Sequence, residues 1–211
     1  MDAKFKSYLE ANQDRFLADL QDILRQPSVA AQHLGMRECA EKVKARLERL
    51  GASARLIEVK DSPPVVYAEI GNGQKTLMIY DHYDVQPREP LNLWESPPWE
   101  PTVRDGKLFA RGVSDNKGNT WSRIQAIETW LKTQGPLPLK IKFVVEGEEE
   151  IGSVHLGDFA RDNADLIKGA DGCLWEAGSK DIGERHTLTM GMKGIFYVEL
   201  RVKAANRDLH S

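Results

Sequence analysis

The chain has 211 residues, 41% hydrophobic and 29% charged, the composition of a soluble globular protein rather than a collagen-like or disordered one. Its 29 Lys and Arg against 32 Asp and Glu leave a formal net charge of −3, which argues against a nucleic-acid binder. No apolar run approaches the roughly 20 residues that span a bilayer, the N-terminal MDAKFKSYLEANQDRF lacks a signal peptide's apolar core, and Cys39 and Cys173 form no C-x-x-C pair, so a reduced cytoplasmic protein is expected.

Phe16, Leu17, Leu20, Ile23 and Leu24 share one face of a helix that Gln26-Pro27 stops. After a polar loop from Ser28 to Gly35, a second helix carries Cys39, Ala40, Val43, Leu47 and Leu50, with Gly51 placed as its C-terminal cap. The period then changes to two: residues 54–59 and 65–70 read as strands separated by Asp61-Ser62-Pro63-Pro64. Thr76 to Tyr80 has the pattern of a strand buried on both faces, and its C-terminal end delivers Asp81-His82-Tyr83-Asp84.

A Pro- and Trp-rich loop from Gln86 to Pro101 leads to a brief strand, Lys107 to Ala110, which ends at Arg111-Gly112-Val113-Ser114-Asp115. Thr120 to Thr133 is predicted helical, with Ile124, Ile127, Trp130 and Leu131 on one face. Lys140 to Val145 is predicted to be a strand delivering Glu146-Gly147-Glu148-Glu149-Glu150, followed by a short helix over 154–163. Cys173-Leu174-Trp175 forms a last short strand ending at Glu176, and Phe196 to Val202 alternates again as the start of a different sheet. This alternation predicts an α/β fold, an open sheet with helices on both faces.

Four strand ends therefore carry unusual polar groups, and in such sheets ligands gather at the carboxyl ends of strands. His82 and Asp84, two apart, point to one face of an extended segment. An imidazole that ligates a metal donates its other N–H to an acceptor, and Asp84 could be that acceptor; the alternative is a surface pair at a loop start. Asp115 is either a helix N-cap or a carboxylate offering one oxygen to each of two cations. Glu148-Glu149-Glu150 is either a solvated acidic face or a cation site in which neighbouring glutamates divide roles, one as ligand and one as proton acceptor. Glu176 alone reads as a loop glutamate. His33, His155 and His186 have no acidic partner two residues away and are read as non-functional.

Met78 to Pro87 (MIYDHYDVQP), Asp105 to Gly118 (DGKLFARGVSDNKG) and Glu146 to Ser153 (EGEEEIGS) together resemble the zinc aminoacylase and carnosinase-type dipeptidase family. That family also holds acetylornithine deacetylases, succinyl-diaminopimelate desuccinylases and glutamate carboxypeptidases. Order, spacing and context of the three motifs all match.

The resemblance implies a zinc exopeptidase-like catalytic domain with a mixed sheet over residues 1–194, and the first strand of an α+β lid and dimerisation domain over 195–211. It implies two zinc ions, with Co2+ or Mn2+ as possible substitutes. His82 would ligate one zinc with Asp84 orienting it, Asp115 would bridge both, Glu150 would ligate the second, and Glu176 would complete the first shell. Glu149 would be the general base toward a zinc-bound water, cleaving the amide bond of a dipeptide or N-acyl amino acid. The Asp115-Asn116 bond would be cis. Asp208-Leu209-His210-Ser211 resembles the lid motif whose histidine, here His210, contacts substrate in a partner subunit's site, so a homodimer is expected of the full-length protein. No histidine after His210 offers itself for the second zinc, and a fragment of a longer gene is expected. The competing readings are an inactive fragment that keeps the fold and at most partial metal binding, and a metal-dependent phosphohydrolase. No nucleic-acid or membrane partner is expected.

Overall fold

A computed structural model describes residues 2–176, 178–191 and 194–203, with only the backbone of Ser179. One compact unit ends at residue 177, and residues 178–211 form a second.

The first unit opens with α1 (Ala3–Ala11), whose leading N–H groups at Lys4 and Phe5 are capped by the Asp2 carboxylate. The predicted apolar face lies on α2 (Gln13–Arg25), which buries Phe16, Ile23 and Leu24. After α3 (Met36–Leu50) comes Gly51 at φ +97°, a left-handed cap that a side chain would strain. The chain then runs through β1 (Ser53–Ile57), β2 (Val65–Ile70) and β3 (Thr76–His82). A hairpin of β4 (Thr102–Arg104) and β5 (Lys107–Phe109) follows, turning at Asp105 and Gly106, both with positive φ. Next come α4 (Lys117–Thr133), β6 (Lys140–Glu146), α5 (Leu156–Asp162), α6 (Ala164–Ile167) and β7 (Gly172–Leu174).

Five strands form one mixed sheet in the order β1-β2-β6-β3-β7, with β3 parallel to both β6 and β7 and the β1-β2-β6 pairs antiparallel. Alternation along the strands sorts side chains to two layers. Val66, Ala68, Ile79, Phe143 and Val145 join Ile23, Val43, Leu47, Trp121 and Ile124 from α2, α3 and α4 in one core. Val65, Tyr67, Tyr80 and Val144 face the other way, toward Phe159 of α5 and the partly buried Leu166 and Ile167 of α6. Helices cover both faces, as the sequence pattern predicts. Each fully buried side chain of this size contributes about 1.5–3 kcal/mol relative to exposure.

Several boundaries differ from expectation. β3 continues to His82 because its partner β6 continues to Glu146, and the two pair in register. α4 starts three residues early, at Lys117. Within α4, Trp121 takes the core position, whereas Trp130, expected on the apolar face, is 38% exposed.

In the second unit, β8 (Ser179–Lys180) and β9 (His186–Thr187) form a small hairpin around Asp181, whose carboxylate accepts from the N–H groups of Gly183 and Arg185. The strand expected over Phe196 to Val202 is not formed: residues 194–203 carry no strand, and Phe196, Val198, Leu200 and Val202 are exposed. Alternation suits a strand, but a strand also needs a ladder partner for its N–H and C=O groups, and among the described residues this segment has none. Among the described residues no helix is long and apolar enough to cross a membrane. Both cysteines are free, Cys39 buried and Cys173 exposed.

Candidate metal centre at the strand ends

His82 ends β3 with its side chain fully buried. Its Nδ1 lies 3.2 Å from Asp84 Oδ1 and 3.1 Å from the Asp84 carbonyl oxygen. With acceptors on that side, Nδ1 can keep its proton when Nε2 gives up its own to ligate a metal. Asp84 is itself fully buried and held: Oδ1 accepts from the Glu149 N–H at 3.2 Å and Oδ2 from the Glu150 N–H at 3.0 Å. Those two donors open a 3₁₀ turn, Glu149–Ile151, and have no partner inside it.

Carboxylates gather round Nε2. Asp115 Oδ1 and Glu176 Oε2 each lie 3.0 Å from it, and Glu149 Oε2 lies at 3.7 Å. Among the described residues, ligand atoms of His82, Glu149 and Glu176 all fall within 4.8 Å of one another. Asp115, the most exposed of the group, precedes a cis Asp115-Asn116 bond, the isomer that the resemblance implies. Glu150 stands apart from Nε2: its Oε2 accepts from Gln86 Nε2 at 2.7 Å. His210 lies outside the described residues.

The crowding shifts the titration of these groups. Burial opposes a charge on His82, but Asp84 and Glu176 more than offset it and push its pKa up to about 11. Burial and then the charge of Glu176 push Glu149 up to about 7. Burial also raises Glu150. Although close to the imidazole, the buried Glu176 Oε2 makes no hydrogen bond of acceptable geometry. A buried acceptor without a donor, beside like charges, is the setting that a cation relieves. One imidazole nitrogen with several carboxylate oxygens is a donor set suited to Zn2+ and to neighbouring divalent ions.

The family described as Peptidase family M20/M25/M40 matches residues 78–203, a span that includes every strand-end residue described above. The chain belongs to this family. Among its relatives, the Beta-Ala-His dipeptidase of Rattus norvegicus is 30% identical over 99% of this chain and 46% of its own length. The Cys-Gly metallodipeptidase dug1 of Schizosaccharomyces pombe is 30% identical over 99% of this chain and 47% of its own. The crystal structure of a metallo-carboxypeptidase of the family, Sso-CP2 from Sulfolobus solfataricus, superimposes with a TM-score of 0.76 at 39% identity, covering 88% of this chain and 39% of that one. The chain thus spans under half the length of the relatives it matches.

Within this peptidase-family core, residues to which the sequence assigns no role complete the surroundings. Asp81, fully buried beside His82, accepts from Asn116 Nδ2 at 2.8 Å and forms an ion pair with Arg123, while its Oδ2 has no partner. Gln86 holds Glu150. His155, read as non-functional, has an acidic partner seven residues back: its ring Nδ1 lies 3.0 Å from Glu148, which also caps the His155 N–H. Lys117, 1% exposed, donates to the carbonyls of Ile23 and Gln26 at the end of α2, the first of which also accepts from the Gln26 N–H. The only available signal for these residues is a place in or beside a motif, since most of their partners lie far away in sequence.

Proposed function

We propose that this chain carries the catalytic centre of a metal-dependent hydrolase that cleaves the amide bond of a dipeptide or N-acyl amino acid. One observation carries the reading: a buried imidazole held by Asp84 turns its free nitrogen toward Asp115, Glu149 and Glu176. His82, Asp115 and Glu176 would hold one zinc, and Asp115 and Glu150 a second, with Co2+ or Mn2+ as substitutes. A bound divalent cation supplies a Lewis acid that polarises the scissile carbonyl and makes water acidic enough to react near neutral pH.

The chain's own groups do the rest. Asp84 fixes the imidazole so that Nε2 faces the centre. Glu149, with a pKa of about 7 in the metal-free chain, is suited to take a proton from the attacking water and return it to the leaving amine. Dipeptides are favoured as substrates by the names of the relatives, two of which are dipeptidases. A domain boundary near Gly194, a lid beginning at 195, contact of His210 with substrate, a homodimer and a reducing cytoplasmic setting belong to the same proposal; two free thiols accord with the last.

The test is a panel of dipeptides, N-acyl amino acids and phosphate esters offered to the zinc-loaded chain. Amide cleavage that a chelator abolishes and zinc restores is expected. Glu149→Gln should keep its zinc and lose about 10²–10⁴-fold in turnover. Undiminished turnover in that variant overturns the role of Glu149, and cleavage of phosphate esters alone overturns the substrate class.

A further inference from the structure

Three polypeptide segments carry His82, Asp115 and Glu176, the candidate ligands of the first cation: the end of β3, the stretch around Asp115-Asn116, and the exit from β7. One guanidinium touches the first and the last and reaches the second through Asp81. Arg123, on α4 and only 12% exposed, pairs through NH1 with Asp81 and donates through NH2 to the Trp175 carbonyl at 2.8 Å. Asp81 in turn accepts from Asn116 Nδ2 at 2.8 Å. Each anchor is the immediate chain neighbour of a candidate ligand: Asp81 of His82, Asn116 of Asp115, and Trp175 of Glu176. The Trp175 ring also stacks on Tyr80 of β3, centroid to centroid at 4.2 Å.

We propose that Arg123 is a positioning residue for the metal centre, a clamp that sets the backbone of three ligand-bearing segments without touching the ligands themselves. The inference rests on the metal-centre reading above. Its physical basis is the planar fork of the guanidinium, which reaches a carboxylate and a carbonyl at once with little loss of freedom. A lysine restores the charge opposite Asp81 but not the second, divergent donor. The sheet itself cannot supply this alignment, because β7 pairs only with Leu77–Ile79 of β3 and stops short of Glu176. Outer groups that orient metal ligands are typically worth about 10–100-fold in metal affinity.

The experiment uses the full chain, metal-free, as wild type, Arg123→Met, Arg123→Lys and Arg46→Met. Arg46→Met removes a second buried arginine, bonded to Asp19 and Glu128 away from the strand ends. The readouts are the zinc dissociation constant by chelator competition and the ring ¹⁵N signals of His82 before zinc is added. Arg123→Met should weaken zinc about 10–100-fold and move the His82 signals, Arg123→Lys should recover only part of both, and Arg46→Met should change neither. Should Arg123→Met fail to fold, Arg123→Lys carries the same comparison. Wild-type affinity with unmoved His82 signals in the Arg123 variants overturns the clamp, as does an equal loss of zinc in Arg46→Met. A wild-type chain that takes up no zinc overturns the metal reading instead. The His82 signals then decide the clamp alone: moved in Arg123→Met but not in Arg46→Met supports it, and any other pattern overturns it.

Discussion

Arg46 and Arg123 are both buried arginines in charged networks, and they are built differently. Arg46, on α3, donates at 2.6 Å to Asp19 of α2 and at 2.6 Å to Glu128 of α4. Those carboxylates are bonded again by Arg49 and Arg15, so each carboxylate has two arginine partners and three helices are tied together. Arg123 meets one carboxylate and two carbonyls, those of Tyr80 and Trp175, and leaves Asp81 Oδ2 without a partner. The first network sets three arginines against two carboxylates and joins helix to helix. The second pairs one arginine with one carboxylate and joins α4 to the end of β3 and the exit of β7, where alignment of a few atoms matters more than net stability. Buried ion pairs are weak evidence for stability as such; what they connect tells more.

The comparison can be broken at its strongest point by Arg46→Met. Removing one member of a buried pair costs about 3–5 kcal/mol. Because Asp19 and Glu128 keep Arg49 and Arg15, the lower end is expected, a fall in thermal midpoint of roughly 6–12 °C at about 2–4 °C per kcal/mol. A fall below about 2 °C would show that the helical network contributes no more than a surface pair.

The centre at the strand ends should differ in being sensitive to protons. His82, with a pKa of about 11 in the metal-free chain, is protonated at neutral pH and must lose that proton to become a ligand. Zinc affinity measured by chelator competition should therefore rise about tenfold per pH unit above neutrality, in wild type and in Arg46→Met alike. An affinity flat between pH 7 and 9 would contradict it.

The smallest effect sharpens the same contrast. Glu149 has its folded pKa raised from 4.5 to about 7, so its stabilising protonated form is fully present below about pH 4.5 and lost as pH climbs through 7. In the metal-free chain, Glu149→Gln should raise the midpoint at pH 8 by roughly 2–4 °C, about 1 kcal/mol after solvent screening, and leave it unchanged at pH 4. A gain of the same size at both pH values would trace it to packing instead.

Much of the fold and the polar strand ends is legible in the sequence, because a strand buried on both faces is a continuous apolar run and its end is marked by the first charged residue. Thr76 to Tyr80 leading into Asp81-His82 is the clearest case. β4 is less legible: Thr102-Val103-Arg104 is too short to show a period, and only Asp105-Gly106 signals the hairpin. The Asp81–Asn116–Arg123 network is not legible at all, since its members lie 35 and 42 residues from Asp81 with no spacing rule to join them. Phe196 to Val202 teaches the converse, that a correct period without a neighbour makes no strand. The roles drawn from the resemblance for Glu150 and His210 stand beyond what geometry around Nε2 can reach.

The carboxylate of Asp84 has one further consequence. It bonds the ring of His82 on one side and caps the turn bearing Glu149, 65 residues away, on the other. Ring and turn are thereby joined through one carboxylate, which ties the spacing of the ligand to that of the proton acceptor. Gly152, at φ +90°, closes that turn, its N–H donating to the Glu149 carbonyl at 2.9 Å. A side chain there would strain the backbone, and the strain would be felt at an imidazole it never meets.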